Sequence, residues 1–394
     1  MNAFPVVDPI PLPAPVWLVK ALHIVTLALH FISVELLLGG LLVATWLSFR
    51  GANPLGHPVA ALRLNAAAAI ARRLPVLMTY VINLGVPPLL FAQVLYGRAF
   101  YTSSVLIGFY WISVVFLLMA CYWLLYEFAA GTEAGKSVWW QGLVAWLIAG
   151  SIARIYSTNM TLMLRPEVWP QMYSASASGT HLPPPDPTLM ARWLFMMTGG
   201  LWVAGLWMIW LAGRKVIDGP VRSYLAANGG RLALVMVAVQ ALVGFKVWQA
   251  QPAAVQTMML TGRVADGLTA GREMQALIAS MGGLYRYAGL LWLAGAGLVF
   301  GFAVWAAWGK PQSKAAGFVG LVLVLGTALS MTFFRDGLRD LTLLSKGFDV
   351  WQRTVVTNWS VVGLFLALLV GGLFGLGWLI SVVMRARPVS EKVV

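Results

Sequence analysis

Cysteine is almost missing from these 394 residues: Cys121 is the single one, and it sits inside an apolar run. One thiol excludes a disulfide framework, an iron–sulfur cluster and a four-cysteine zinc site. No C-x-x-C-H stretch occurs, so haem is not attached covalently in the c-type manner. Charge is scarce too, at 10% of the chain against about 25% in a typical soluble domain. Acid is scarcer than base, with 13 Asp+Glu beside 27 Lys+Arg. The G-x-x-x-x-G-K-[ST] phosphate loop is absent, which argues against an ATP-driven transporter. No Ser/His/Asp or Cys/His arrangement stands out, so hydrolysis has no support in the sequence.

What the chain has is apolar surface, 60% of it by residue. So few charges cannot screen that much apolar surface in a soluble fold of this length, and the expected class is an all-α, polytopic membrane protein. Nine runs are long enough to span, at roughly 15–48, 74–97, 103–130, 138–161, 188–213, 229–250, 284–308, 315–343 and 355–384. Residues 58–73 predict an amphipathic surface helix. Residues 164–187 predict a Pro/Ser-rich loop, and 251–283 a second long connection, partly helical around REMQALIASM. Neither an internal repeat nor a separate soluble domain is visible, so residues 1–394 form a single transmembrane domain.

The net charge of +14 fits membrane topology and anionic lipid rather than nucleic acid. Met1–Ala14 carries Asp8 and four prolines but no basic residue, unlike a cleaved signal peptide. Dividing Lys and Arg between the two faces barely discriminates, at 14 against 13. The short connections GRKVIDGPVRS and GKPQSK and the tail MRARP are basic and acid-poor, which places them on the cytoplasmic side. The expected topology is N-terminus outside and C-terminus inside.

Ionisable groups within spans are costly in hydrocarbon and therefore informative. The first span holds His23, His30 and Glu35. Seven residues is nearly two turns, so His23 and His30 share a helix face about 10 Å apart. Neutral imidazoles so placed suit two haems, or one haem and a quinone; alternatively each bonds a neighbouring helix. Glu35 is a deeper carboxylate, suited to proton relay or to an internal ion pair. The eighth span ends FFRDGLRDLTLLSKG, where Asp336 and Asp340 share a face, as do Arg335 and Arg339. That pattern reads first as a salt-bridged interfacial collar. Arg154, Arg192 and Arg286 lie at or near span ends, where arginines snorkel or clamp carboxylates. The 17 methionines are mainly core filler, the 19 tryptophans mainly interfacial, and His57 and His181 sit in loops.

The segment LHIVTLALHFISVELLLGG resembles the first helix of subunit I of cytochrome bd-type quinol oxidases. There, HF, two residues, V and then LxLG surround a haem-ligating histidine, and the match puts His30 at that position. INLGVPPLLFAQVLYGRAFYTS resembles the family's second helix, STNMTLMLRPEVW its N-x-W-M-Q-x-P corner, and FRDGLRD its E-x-x-R-Q motif. On the last of these, Asp336 stands for the ligating Glu and Arg339 for the Arg. Departures accompany the likeness. Phe195 replaces the histidine, and Ala288 the methionine, that ligate the low-spin haem b in that family, although Arg286 is kept beside it. Val114 and Cys121 stand where it has proton-carrying glutamates, and its periplasmic quinol loop is much shortened. His23 and Glu35 are additions.

The resemblance implies a bd oxidase subunit I-like fold of about nine transmembrane helices in a bacterial inner (cytoplasmic) membrane. It implies a subunit of a respiratory chain that binds haem b, one or two copies, and interacts with quinol. Electrons would pass between quinol and a partner redox protein on the outer face, a c-type cytochrome or another carrier, alongside other membrane subunits and lipid. Expected cofactor ligands are His30, His23 and Asp336, with Arg286 and Arg339 near propionates or Asp336, and His23 and Glu35 as proton-handling groups. Two alternatives stand beside this reading: a bd-like terminal oxidase subunit with rearranged haems, and a cofactor-free anchor for partner cytochromes.

Overall fold

In lipid a backbone N–H or C=O without a partner costs several kcal/mol, so a chain this apolar must bond its backbone within helices. The computed structural model describes residues 11–52, 58–309 and 311–385, and they do so. The helices are α1 (Val16–Gly51), α2 (Pro58–Ala71), α3 (Leu74–Leu106), α4 (Gly108–Glu133), α5 (Trp139–Leu162) and the short α6 (Trp169–Ala175). They continue with α7 (Pro187–Ala212), α8 (Gly219–Gln249), α9 (Ala253–Thr261), α10 (Arg272–Trp308), α11 (Lys314–Ser345) and α12 (Trp359–Arg385). Eight of the helical stretches are long and apolar enough to cross a membrane. The expected fourth span is helical as α5 but is not among those eight.

α1 is the axis of the bundle, packing against α2, α3, α5, α7 and α11. α7 runs along α8, α10 bridges α8 and α11, and α4 pairs with α5. α1 and α7 cross closely: a Cβ on Gly39 would collide with the Gly200 carbonyl oxygen. Small residues at such a crossing let backbones touch, which is how helices associate where no hydrophobic drive exists. α12 stands at the edge, touching α3 through Phe365 and Phe91, whose ring centroids are 5.2 Å apart. A backbone pairing of Leu12 with Val355 ties the start of the described chain to the connection preceding α12.

Three expectations change. α8 begins at Gly219, ten residues before the expected start at 229. Gly229 and Gly230 do not end a helix but admit α7 and α10: a Cβ on Gly229 would lie 2.6 Å from the Gly205 oxygen, and one on Gly230 2.5 Å from Ala306. α2 occupies the range expected of a surface helix, yet Ala66, Ala67, Ile70 and Ala71 are buried in the main core. Its alanines are small enough to admit α1 and α4, and a surface position would have exposed them. α3 continues to Leu106 despite Pro87 and Pro88, breaking helical geometry only at Tyr96 (φ −119°, ψ 24°). Near that break Arg353 Nη1 donates to the Leu95 carbonyl at 3.1 Å. Asp8 and His57 lie outside the described residues, and so does the side chain of Arg286.

Gly39→Val should force α1 and α7 apart. Overpacking of this kind costs about 1–3 kcal/mol, and the contact here is backbone, which cannot yield as a side chain can. The expected result is a lower midpoint of thermal unfolding in detergent; an unchanged midpoint would mean the crossing is looser than described.

Candidate functional site

The polar residues of this apolar bundle gather where α1 begins and α11 ends. Asp336 and Asp340, one turn apart, project from one face of α11. Lys20, in the second turn of α1, places its ammonium between them, 2.7 Å from Asp336 Oδ2 and 2.5 Å from Asp340 Oδ2. All three are at most 3% exposed. Tyr96, fully buried where α3 breaks, completes the group: Lys20 Nζ donates to its hydroxyl at 3.0 Å. That hydroxyl lies 3.1 Å from Asp336 Oδ1 and 3.0 Å from Asp340 Oδ1. It has one proton and so donates to one carboxylate at a time. Trp351 Nε1 donates to Asp340 Oδ2 at 3.3 Å.

Arg339 closes the other side. Its Nη1 is 3.8 Å from Asp336 Oδ1 and 2.9 Å from His23 Nε2, and its guanidinium lies 4.9 Å over the Tyr96 ring. His23 Nδ1 is 3.1 Å from the Pro88 carbonyl, which can only accept, so Nδ1 carries the proton. Nε2 is then the acceptor for Arg339. Both ring nitrogens are thus engaged. Lys20 and Arg339 balance Asp336 and Asp340 charge for charge, which is what burial of four ions demands.

Sequence reasoning reached Asp336, Arg339 and His23, which the structure brings together, but passed over Lys20 and Tyr96. A signal for Lys20 existed: it is in the first span, three residues before His23 and therefore on the same face. Tyr96 carried none, because a tyrosine near a span end is ordinary.

His30 stands apart from this cluster. Its Nδ1 is 3.1 Å from the Val81 carbonyl, so Nδ1 donates and the Nε2 lone pair faces away, with no hydrogen-bond partner among the described residues. Gly85 makes room for the ring: a Cβ there would lie 2.9 Å from His30 Cε1. Glu35 is separate again. Only 7% exposed, it sits among α1, α7 and α8 with no ion-pair partner among the described residues. Gly199, Gln240 and Thr198 surround it: a Cβ on Gly199 would lie 2.9 Å from Glu35 Oε1 and 3.0 Å from Gln240 Nε2, and Thr198 donates to Gln240 Oε1 at 2.8 Å. An aromatic ladder of half-buried rings links α7, α10, α11 and α8. Phe195 lies 5.7 Å from Trp292, Trp292 6.0 Å from Phe334, and Phe334 6.2 Å from Trp248, centroid to centroid.

Against solved structures, the chain is similar to one titled the structure of bd oxidase from Geobacillus thermodenitrificans. The TM-score is 0.65 and the identity 12%, over 98% of this chain and 100% of that one. The two share a fold. At that identity the likeness speaks for the fold alone. No family model matches the sequence, and no curated protein does either.

Haem b, expected from the resemblance in the sequence, can be tested against the donors present. His30 fits: an imidazole fixed through Nδ1–H to a carbonyl, with Nε2 open, is how iron-ligating histidines are oriented. Asp336 and His23 do not fit as they stand, because Lys20, Tyr96 and Arg339 occupy their lone pairs. Phe195 and Ala288, at the positions matched to the low-spin haem ligands, have no donor atoms, and Phe195 belongs to the aromatic ladder. Of the ligands expected from the sequence, His30 alone keeps an open donor atom.

Lys20→Met should leave two buried aspartates facing one arginine, a loss of about 3–5 kcal/mol for a broken buried ion pair. The double change with Asp340→Asn should recover much of it, because Arg339 and Asp336 then still balance each other. Thermal unfolding of both variants in detergent checks the pair; equal losses in the two would refute the charge-balance account.

Proposed function

We propose that this chain is a quinone-interacting, haem b-bearing membrane subunit of a respiratory electron-transfer complex in a bacterial inner membrane. In this reading its N-terminus is outside and its C-terminus cytoplasmic. It passes electrons between quinol and a redox partner on the outer face, with other membrane subunits beside it. The observation that carries the reading is His30, a half-buried imidazole in a membrane-length helix with one nitrogen fixed and the other open, in a fold shared with a bd oxidase. Haem bound there would supply a one-electron acceptor or donor.

Around it the chain's own residues hold geometry and protons. Val81 and Gly85 set the His30 ring. His23 is a positioning residue: protonating Nε2 would set an imidazolium against the Arg339 guanidinium 2.9 Å away. It therefore steers Arg339 rather than receiving the quinol proton. Glu35, roughly 18 Å along the helix from His23, is the group able to carry a proton at mid-membrane depth, with Gln240 and Thr198 as its polar neighbours.

Two observations favour the cofactor-free anchor instead. Lys20 neutralises the aspartates that would otherwise face a metal, and Phe195, at an expected haem-ligand position, is in ring contact with Trp292. An optical spectrum and pyridine haemochrome of the purified protein separate the two readings. The proposed function expects haem b that falls by one equivalent in His30→Ala. Absence of haem from the wild type leaves the anchor. Glu35→Gln, in protein that assembles normally, should slow quinol-dependent reduction of the partner by about tenfold or more, as loss of a proton-transferring group does. A wild-type rate would make Glu35 structural.

A further inference from the structure

Glu35 and Gln240 meet where α1, α7 and α8 come together, 7% and 9% exposed. The point where Gly199 would carry a Cβ lies 2.9 Å from Glu35 Oε1 and 3.0 Å from Gln240 Nε2. Carboxyl and amide therefore stand side by side over one glycine, a gap that one side-chain torsion or one bridging water closes. The Glu35 carboxyl has neither an ion pair nor a hydrogen bond among the described residues. Charged and titratable groups on the same three helices are turned elsewhere. His23 and His30 bond carbonyls, Lys20 holds Asp336 and Asp340, and Arg192 Nη2 bonds Gln251 Oε1 at 3.3 Å. Arg50, Arg231 and Lys246 are exposed, and Arg222 is in the first turn of α8. What faces Glu35 is the neutral amide. Behind that amide is Thr198, whose hydroxyl has one proton and three acceptors in reach. They are the Leu194 carbonyl at 2.8 Å, the Phe195 carbonyl at 3.3 Å and Gln240 Oε1 at 2.8 Å.

We infer that Gln240 is a positioning residue for the Glu35 proton, turning its amide as that proton comes and goes. The two ends of a carboxamide have nearly the same shape, and its terminal torsion is soft, so both orientations fit one space. When Thr198 donates to the Leu194 carbonyl, its oxygen accepts from Gln240 Nε2. Gln240 Oε1 then turns to Glu35 and accepts the O–H of the neutral acid. When Thr198 donates to Gln240 Oε1 instead, Nε2 is presented to the carboxylate left after the proton departs. Thr198 and Gln240 keep their own protons throughout, and only Glu35 gains or loses one. Each charge state thus finds a matched partner without any helix moving, whereas an apolar neighbour would leave the carboxylate bare. Gly199 belongs to the device, because a side chain there would meet both the acid and the amide. The inference rests on the reading of Glu35 as a proton-carrying group, and it names the residue that serves it.

Infrared spectra of the full chain, purified with its natural subunits, test this apart from turnover. A protonated-carboxyl band present in wild type and lost in Glu35→Gln is the Glu35 band. It should shift in Gln240→Leu and in Thr198→Val, and stay in place in Thr198→Ser, which keeps the hydroxyl. Quinol-dependent turnover should fall about tenfold in Gln240→Leu with the KM for quinol unchanged, the loss expected for one hydrogen bond to a charged group. A band unmoved by both Gln240→Leu and Thr198→Val overturns the proposal, and so does its absence at every pH at which the chain stays folded. Unchanged turnover in Gln240→Leu overturns the positioning role. Wild type that shows the band shifts but oxidises no quinol would sink the respiratory reading and support the acid–amide pair on its own. Should Gln240→Leu fail to accumulate, the contrast between Thr198→Val, of almost the same shape as threonine, and Thr198→Ser decides.

Discussion

Two carboxylates one turn apart on a membrane helix cannot both stay ionised in hydrocarbon without a cation between them, and Lys20 is that cation. Taking an ion out of water costs several kcal/mol even after relaxation, and only close, fully hydrogen-bonded partners return it. Here the return comes from two oxygens within 2.7 Å of one ammonium and from a tyrosine hydroxyl within reach of all three groups. The geometry obliges α1, α3 and α11 to meet at one point. It also fixes Arg339 beside Asp336, and through Arg339 the orientation of His23. The polar end of the bundle is thus a single charge-neutral unit rather than a row of separate candidates.

That unity changes what each residue can do. Asp336, His23 and Arg339 are partners of one another before they are partners of anything else. His30 is different because its only described hydrogen bond is to a carbonyl of α3, which orients the ring and leaves one lone pair open. The aromatic ladder marks a similar division: where α7, α10 and α11 face one another, half-buried rings are in contact.

Much of the fold was legible in the sequence because the bilayer imposes one rule, long apolar helices, and composition reports it directly. Boundaries were less legible where a residue had two meanings. Gly229 and Gly230 look like a helix end, and only the neighbouring backbones of α7 and α10 show that they are contact surface. The second span was expected to end at 97, yet α3 runs on to Leu106 with a departure from helical geometry only at Tyr96. In the site, Asp336 and Arg339 could be found from their spacing on one helix. Lys20 could not be tied to them, since no local pattern links residues 316 and 320 positions apart.

That separation bears on the order in which the molecule is made. α1 enters the membrane early, carrying Lys20, while its two carboxylates belong to a helix synthesised some three hundred residues later. Until α11 arrives, the ammonium must stay near water, reaching along its own stem toward the surface. The first helix can therefore settle at its final depth only after nearly the whole chain has been inserted. Trp351 then closes over the finished ion pair. The last stretch of polypeptide thus completes the first, and the bundle's polar end is the latest part of it to become native.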